Sequence, residues 1–181
     1  MENKMNHRPR NRKSYGFEVK SIAADGTFAG YASVFGVVDS QRDIVLPGAF
    51  AASLKSRKQP VQLLWQHQWE NPIGSITKLF EDARGLYVQG KLLMEVAQAR
   101  EAYALLKEGI LRGLSIGYSV KRSKRDPETG VRQLMQVDLW EISLVTLPAN
   151  DAAQVTVVKQ AALPEAMLMT LLQRAERALR G

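Results

Sequence analysis

The chain has 181 residues, enough for one domain with tails, and its 45% hydrophobic and 24% charged residues are typical of a soluble globular protein. It has no cysteine, which excludes disulfides, thiolate catalysis and cysteine-based zinc sites. No apolar run approaches the roughly 20 residues that span a bilayer, so we expect no membrane partner. The polar, basic start of the chain does not resemble a secretory signal, which predicts synthesis and action inside a cell.

The net charge of +7 is concentrated at the N-terminus. Residues 1–13 contain five basic residues and one acidic residue, so four of the seven excess positive charges lie there. A basic tail can bind nucleic acid or an acidic partner by displacing counterions. We favour the alternative, a solvated tail outside the folded domain, and we do not expect nucleic acid to be a partner.

In chain order, the first half of the sequence is predicted to consist mainly of strands separated by turns. The dipeptide Asp25-Gly26 is a hairpin signal between the first two strands. A polar loop at 39–43 precedes a short helix over 49–57, which follows Pro47-Gly48. The predicted strands of this half cover residues 15–22, 27–38, 61–67, 72–81 and 85–93.

The second half begins with the clearest predicted helix, over residues 95–107, where apolar residues recur at helical spacing and Gly109 provides a stop. Two strands follow over 113–122 and 131–147, joined by a turn. A terminal amphipathic helix is predicted over 163–180.

These elements predict an α+β protein built on a mainly antiparallel β-barrel of about seven strands ringed by helices. The domain would cover residues 14–160, between the basic tail at 1–13 and a C-terminal helix at 161–181. We expect the long strand region at 131–147 to bend, so that it serves two sheets or a barrel corner.

Histidine is scarce, which narrows any histidine-dependent chemistry. Of the two histidines, His7 lies in the basic tail, so a catalytic histidine would be His67, at the end of the predicted strand 61–67. A strand end holds a side chain rigidly at a site, although a structural histidine bonded to a loop fits the same position. One histidine cannot supply the usual ligands of a catalytic zinc, and Asp39 and Asp43 are better explained as turn residues than as magnesium ligands. We therefore predict no metal and no cofactor.

Ser115 lies on a strand face made of small residues. In the strand 113–122, Ser115, Gly117 and Ser119 alternate with apolar residues that point the other way. Small neighbours leave room for a substrate carbonyl to approach a serine nucleophile. The same pattern is expected where a helix packs closely against the small residues of a strand.

Glu141 interrupts an apolar strand face between Leu139 and Ser143. A carboxylate in such a place is costly unless it is paired or hydrogen-bonded, so Glu141 could orient a histidine. The alternative is an edge-strand charge that faces water. His67, Ser115 and Glu141 thus form a possible base, nucleophile and orienting acid, but strand periodicity does not show that they meet.

Five blocks of the sequence resemble the prohead maturation proteases of tailed phages, a family similar in turn to herpesvirus assemblin. The resemblance extends over residues 28–151, and the order and spacing of the blocks make it more specific than any one motif. The blocks are GYASVFGVVDSQRDIVLPGAF (30–50), LLWQHQWENPIGSI (63–76), GLYVQGKLL (85–93), GLSIGYSV (113–120) and LWEISLVTLPAND (139–151).

The resemblance implies which residues are catalytic. The family's histidine falls on His67 in the motif WQH, and its nucleophile falls on Ser115 in GLSIGY. The third member is carried over to Glu141 in WEISLV, with Asp43 in reserve. Assemblin-like enzymes use a second histidine in that role, and this chain has none left for it.

The resemblance also implies a function. It implies a serine endopeptidase with an assemblin-like barrel, which cuts the scaffold or the scaffolding segment of the major capsid protein during head maturation. The site of action would be the host cytoplasm, inside the assembling procapsid. Assemblin relatives are activated by homodimerisation, so we expect a homodimer formed through the helix at 95–107 or at 163–180. We also expect the enzyme to trim its own tails, and the turn at 148–150 to supply oxyanion donors.

Two other interpretations stay open. A Ser–Lys dyad would combine Ser115 with Lys91 or Lys121 and would not need His67. A non-enzymatic assembly factor would bind capsid protein or nucleic acid through the barrel and the basic tail without cutting either. If Ser115 were dispensable for cleavage, Ser143 would be the next candidate nucleophile.

Overall fold

Residues 23–156, which the computed structural model describes, form eight strands and two short helices. The strands are β1 (Thr27–Val34), β2 (Asp43–Val45), β3 (Gln62–Trp65), β4 (Gln68–Glu81), β5 (Gly85–Leu92), β6 (Gly113–Arg125), β7 (Arg132–Val145) and β8 (Val155–Thr156). The helices are α1 (Ala51–Ser56) and α2 (Ala97–Lys107). The predicted tail at 1–13, strand at 15–22 and helix at 163–180 lie outside the described residues.

All eight strands belong to one sheet, which curls into a half-barrel. Its order is β2-β7-β3-β4-β5-β1-β8, and β6 pairs with β7 outside this path. One edge of β7 pairs in parallel with β2 near its start and with β3 near its end, while the other edge pairs antiparallel with β6. β7 therefore joins strands that are distant in the sequence, and it places β3 and β6 on its two sides.

The predicted fold class is confirmed in part. The fold is mostly β, and five of the seven strand pairings are antiparallel, but the two pairings that β7 makes with β2 and β3 are parallel. Parallel neighbours require long crossover connections, which strand periodicity does not indicate. Within the described residues, α1 packs against β7, whereas α2 packs against β4 and β5, so two short helices flank the sheet there.

The inner face of the curled sheet is filled by apolar side chains from nearly every strand. In β5, for example, Leu86, Val88 and Leu92 are buried at the two-residue period of a strand with one covered face. Burial of one such side chain contributes about 1.5–3 kcal/mol. Other members of this core are Phe28, Phe50, Leu63, Ile73, Leu106, Leu114, Leu139 and Ile142. The core fixes the strands that carry the polar residues described below.

The hairpin between β3 and β4 differs from the prediction. β3 ends at Trp65, and Gln66 and His67 form a two-residue turn with φ angles of 50° and 60° before β4 begins at Gln68. The predicted strand through residue 67 and the gap up to residue 72 are therefore wrong. Two-residue hairpin turns with positive φ usually contain Asn or Gly, and Gln-His lacks that signal.

Neither helix among residues 23–156 has the length and apolar character that crossing a membrane requires.

Candidate active site

His67 and Glu141 are joined by a direct side-chain contact. The imidazole Nδ1 lies 2.6 Å from the carboxylate Oε1, and the side chains are 45% and 2% exposed, respectively. An ionised carboxylate can only accept hydrogen bonds, so Nδ1 carries the proton and the neutral ring keeps Nε2 as a lone-pair acceptor. The contact therefore prepares Nε2 to act as a base.

The other oxygen of Glu141 is bonded to Ser143. The Ser143 hydroxyl donates to Glu141 Oε2 at 2.7 Å and accepts the backbone N–H of His67 at 3.0 Å. Both carboxylate oxygens thus have a partner, as a buried charge requires. Of the two interpretations left open by the sequence, the structure has Glu141 buried and paired rather than facing water.

Ser115 lies on β6, directly opposite Ser143 on β7, and is 9% exposed. Its side chain lines a cavity of about 370 Å³ that His67 lines as well. Glu141 is hydrogen-bonded to His67 and buried beside this cavity. The structure therefore brings the three predicted site residues together from a turn and two adjacent strands.

Two loops contribute residues to the lining of the cavity. The loop between β1 and β2 contributes Asp39 and Ser40, and the loop after β7 contributes Leu147, Ala149 and Asn150. Ser40 N donates to Ala149 O at 2.9 Å, so the loops hold each other in place. The backbone N–H groups of Ala149 and Asn150 have no hydrogen-bond partner within residues 23–156. Both residues line the cavity.

Asp43, the reserve acid, also lines the cavity but is bound elsewhere. It accepts hydrogen bonds from Arg132 Nε at 2.8 Å and Nη2 at 2.5 Å, and its Oδ2 lies 3.4 Å from the Tyr118 hydroxyl. Burial, together with the negative charge of Asp43, raises the pKa of Tyr118 to about 12. The structure therefore pairs Asp43 with Arg132, and it pairs His67 with Glu141.

Asp39 differs from Asp43 in that, within the described residues, no side chain donates a hydrogen bond to its carboxylate. Its Oδ1 accepts the backbone N–H groups of Gln41 and Asp43, each at 2.8 Å. Burial raises the pKa of Asp39 from its ordinary value despite these two bonds. The two hydrogen bonds therefore do not fully offset the free-energy cost of burying the charged form of Asp39.

Neither lysine of the possible dyad lines the cavity. Lys91 Nζ lies 3.7 Å from Asp25, and Lys121 Nζ lies 3.8 Å from Asp138. Ser143 is fully buried and is not among the cavity-lining residues, so it is a poor candidate for the nucleophile. In the described part of the chain, no group of three or more His, Cys, Asp or Glu residues could hold a metal ion.

Comparison with known sequences identifies relatives. The profile of the family described as Caudovirus prohead serine protease matches residues 15–167. The chain is 39% identical over 137 residues to the prohead protease of Enterobacteria phage HK97, which covers 74% of this chain and 60% of that protein. It is 24% identical over 164 residues to the prohead protease of Escherichia phage T5, covering 87% of this chain and 75% of that protein.

A third relative is a capsid polyprotein of Pseudomonas phage PAJU2. It is 32% identical over 127 residues, which cover 67% of this chain and 18% of the polyprotein. The chain thus spans 60% of the length of the HK97 protein and a much smaller part of the polyprotein.

Comparison with solved structures shows a shared fold. The protease of Kaposi's sarcoma herpesvirus, in complex with a hexapeptide phosphonate inhibitor, matches with a TM-score of 0.51 and 16% identity over 83% of this chain and 76% of that one. The capsid assembly protease of bacteriophage T4 matches with a TM-score of 0.50 and 12% identity over 66% of this chain and 82% of that one. The expected likeness to herpesvirus assemblin is confirmed at the level of the fold.

Proposed function

Because the chain belongs to the Caudovirus prohead serine protease family, we propose that it is a serine endopeptidase that cuts scaffold protein or the scaffolding segment of the capsid protein during head maturation. In this proposal Ser115 is the nucleophile, His67 the general base and Glu141 the acid that orients the base. The observation that carries it is the 2.6 Å contact between His67 Nδ1 and Glu141, beside a cavity that Ser115 also lines.

The reaction is acyl transfer in two steps. Ser115 Oγ attacks the carbonyl carbon of the scissile peptide while His67 Nε2 takes the hydroxyl proton. The C–N bond then breaks as His67 returns that proton to the leaving amine, and an ester to Ser115 remains. In the second step water attacks the ester, His67 takes a proton from the water, and Ser115 is released with that proton. Glu141 stabilises the imidazolium that forms in both steps.

Backbone donors of the loop after β7 would stabilise the oxyanion. Ala149 and Asn150 line the cavity, and their backbone N–H groups make no hydrogen bond within residues 23–156, which supports the prediction that the turn at 148–150 supplies these donors. Loss of one such donor typically lowers turnover by about 10²–10³-fold. The hydrogen bond from Ser40 would keep this loop in place while the charge develops.

The names of the relatives support the choice of substrate. Two are called prohead proteases, and the third is a capsid polyprotein of which 18% matches this chain, so a related sequence lies within a polypeptide named for the capsid. We infer that the substrate is the capsid protein or its scaffold, met inside the assembling procapsid in the host cytoplasm. It stays a prediction that the protein forms a homodimer through α2 or through the helix at 163–180. It also stays a prediction that the enzyme trims its own tails.

Co-expression with the cognate capsid protein tests the proposal. Wild type should produce shortened capsid protein by gel and intact mass, and Ser115→Ala should not, although it folds. Ser119→Ala is a matched control because Ser119 lies four residues from Ser115 on β6 and does not line the cavity. Cleavage by Ser115→Ala would exclude Ser115 as the nucleophile. No cleavage by wild type in assembled procapsids would favour the assembly-factor interpretation.

A further inference from the structure

Ser143 connects two residues of the proposed site, because its hydroxyl bonds to the backbone of His67 and to the carboxylate of Glu141. Its hydroxyl has one proton, which is donated to Glu141 Oε2 at 2.7 Å. The oxygen is therefore free to accept the His67 N–H at 3.0 Å. Ser143 is fully buried, so water does not compete for either bond.

The turn that carries His67 has an unfavourable backbone conformation, which hydrogen bonds from other residues hold in place. Gln66 and His67 both have positive φ, in a region that residues with a Cβ adopt rarely. Gln66 is held by its N–H, which donates to Leu144 O at 3.0 Å, and by its side-chain amide, which donates to Thr146 Oγ1 at 2.7 Å. The backbone N–H of His67 is held by Ser143. Local sequence does not favour this turn, and contacts from β7 and the residues after it hold it in place.

The same hydroxyl restricts the carboxylate. With Oε2 bonded to Ser143, Oε1 is the oxygen that meets His67 Nδ1, and rotation of the carboxylate would break two hydrogen bonds together. Ser115 pairs with Ser143 across the strands, so the residue that fixes the base and the acid is also in register with the nucleophile.

We propose that Ser143 is a positioning residue, which holds the His67 backbone and the Glu141 carboxylate so that His67 keeps its proton on Nδ1 and its lone pair on Nε2. This inference rests on the proposed function for its effect on rate, but the proton position exists with or without catalysis. Besides Glu141 from β7, the titratable groups that share the cavity with His67 are Asp39, Asp43 and Tyr118, and none of them contacts Ser143.

Ser53 offers a matched control. It is also buried, its hydroxyl donates to a carboxylate, Asp138 Oδ1, at 3.2 Å, and it accepts a backbone N–H from Leu139 at 3.0 Å. It lies on α1, and it does not line the cavity. Arg57 Nη2 also donates to the Ser53 hydroxyl, at 3.4 Å. Ser53→Ala therefore removes a hydroxyl that, like that of Ser143, bonds to a carboxylate and to a backbone N–H, and it leaves the proposed site intact.

The experiment compares wild type, Ser143→Ala, Ser143→Cys and Ser53→Ala by peptide-cleavage kinetics and by NMR of the His67 ring. In wild type we expect a low-field proton on Nδ1, hydrogen-bonded to Glu141. Ser143→Ala should lose this resonance and lower kcat about tenfold with little change in KM. Ser143→Cys, which keeps the volume but donates weakly, should lie between the two and serves if the alanine variant does not fold. Ser53→Ala should match wild type in both readouts.

The proposal would be overturned if Ser143→Ala and Ser143→Cys both kept the wild-type kcat and the low-field proton on Nδ1. So would a loss of activity that Ser53→Ala reproduces while the His67 resonance stays unchanged, because that pattern indicates a general loss of stability. If wild type cleaved nothing, the proposed function would fail, and the NMR comparison alone would still decide the role of Ser143.

Discussion

Gly117 on β6 lies directly opposite Glu141 on β7, and the Glu141 side chain occupies the space that a side chain at position 117 would need. A Cβ added at Gly117 would lie 2.8 Å from Glu141 Cγ and closer still to Oε1. From the strand pattern alone, this glycine is expected to leave room for substrate beside Ser115. The structure shows that it is room for the acid that contacts His67.

Gly117→Ala should therefore damage the site through Glu141. The added methyl group would push the carboxylate away from His67, and we expect kcat/KM to fall about tenfold or more, since one charge-assisted hydrogen bond contributes about 1.5–3 kcal/mol. Peptide-cleavage kinetics on folded protein measures the loss. In a Glu141→Ala background the same substitution should cause little further loss, because the group it displaces is gone. Equal losses in both backgrounds would contradict this explanation.

Glu141→Gln should impair turnover while the shape of the site is kept. An amide can offer its N–H to the ring and favour the wrong tautomer of His67, an effect worth on the order of 10⁴-fold in kcat in a well-studied triad. Single-turnover cleavage would measure it. The control is Glu81→Gln, because Glu81 accepts the Phe50 N–H outside the cavity. A Glu141→Gln variant within tenfold of wild type would remove Glu141 from the catalytic assignment.

Asp43→Asn should affect stability more than catalysis. It weakens the paired hydrogen bonds from Arg132 to a buried carboxylate, and we expect the free energy of unfolding to fall by about 1–3 kcal/mol. Denaturant unfolding would show this, and Arg132→Gln should have a similar effect. If folded Asp43→Asn lost more turnover than Glu141→Gln, the reserve assignment of the acid to Asp43 would be correct after all.

Asp39→Asn should stabilise the protein in a pH-dependent way. Because burial raises the pKa of Asp39 in the folded state, the folded protein holds that proton to higher pH than the unfolded chain. The free energy of unfolding therefore falls as pH rises from the ordinary carboxyl pKa through the raised one. It stays lower at neutral pH, where Asp39 is charged in both states. Thermal unfolding should show a higher midpoint for Asp39→Asn than for wild type at pH 7, and no such gain below the ordinary carboxyl pKa. A gain that did not change with pH would show that the charge of Asp39 is not its cause.

The sequence predicted most of the elements around the site. Helical spacing located α1 and α2, and period-two alternation located β5, β6 and β7 within a few residues. Glu141 was identifiable because a carboxylate within an apolar stripe needs a partner, and His67 because the only other histidine lies in the basic tail. Those arguments depend on composition and local pattern, which the sequence contains directly.

The parts that sequence did not predict depend on contacts between distant segments. β2 and β8 are three and two residues long and form because β7 and β1 provide edges for them. The sequence predicts neither strand, and the predicted loop at 39–43 contains only the first residue of β2. The His67 turn is held by Ser143, a residue 76 positions away. The sequence suggests Ser143 only as a substitute nucleophile, because nothing in a serine's local sequence shows which groups its hydroxyl will contact.

Covalent labelling of Ser115 tests the central claim most directly. We would treat wild type, Ser115→Ala, His67→Ala and Ser119→Ala with a fluorophosphonate, which reacts with activated serine hydroxyls, and measure intact mass followed by peptide mapping. The account predicts one adduct on Ser115 in wild type and Ser119→Ala, none in Ser115→Ala, and a much slower reaction in His67→Ala. An adduct in Ser115→Ala at the wild-type rate would contradict the account, because it would place the activated serine elsewhere in the chain.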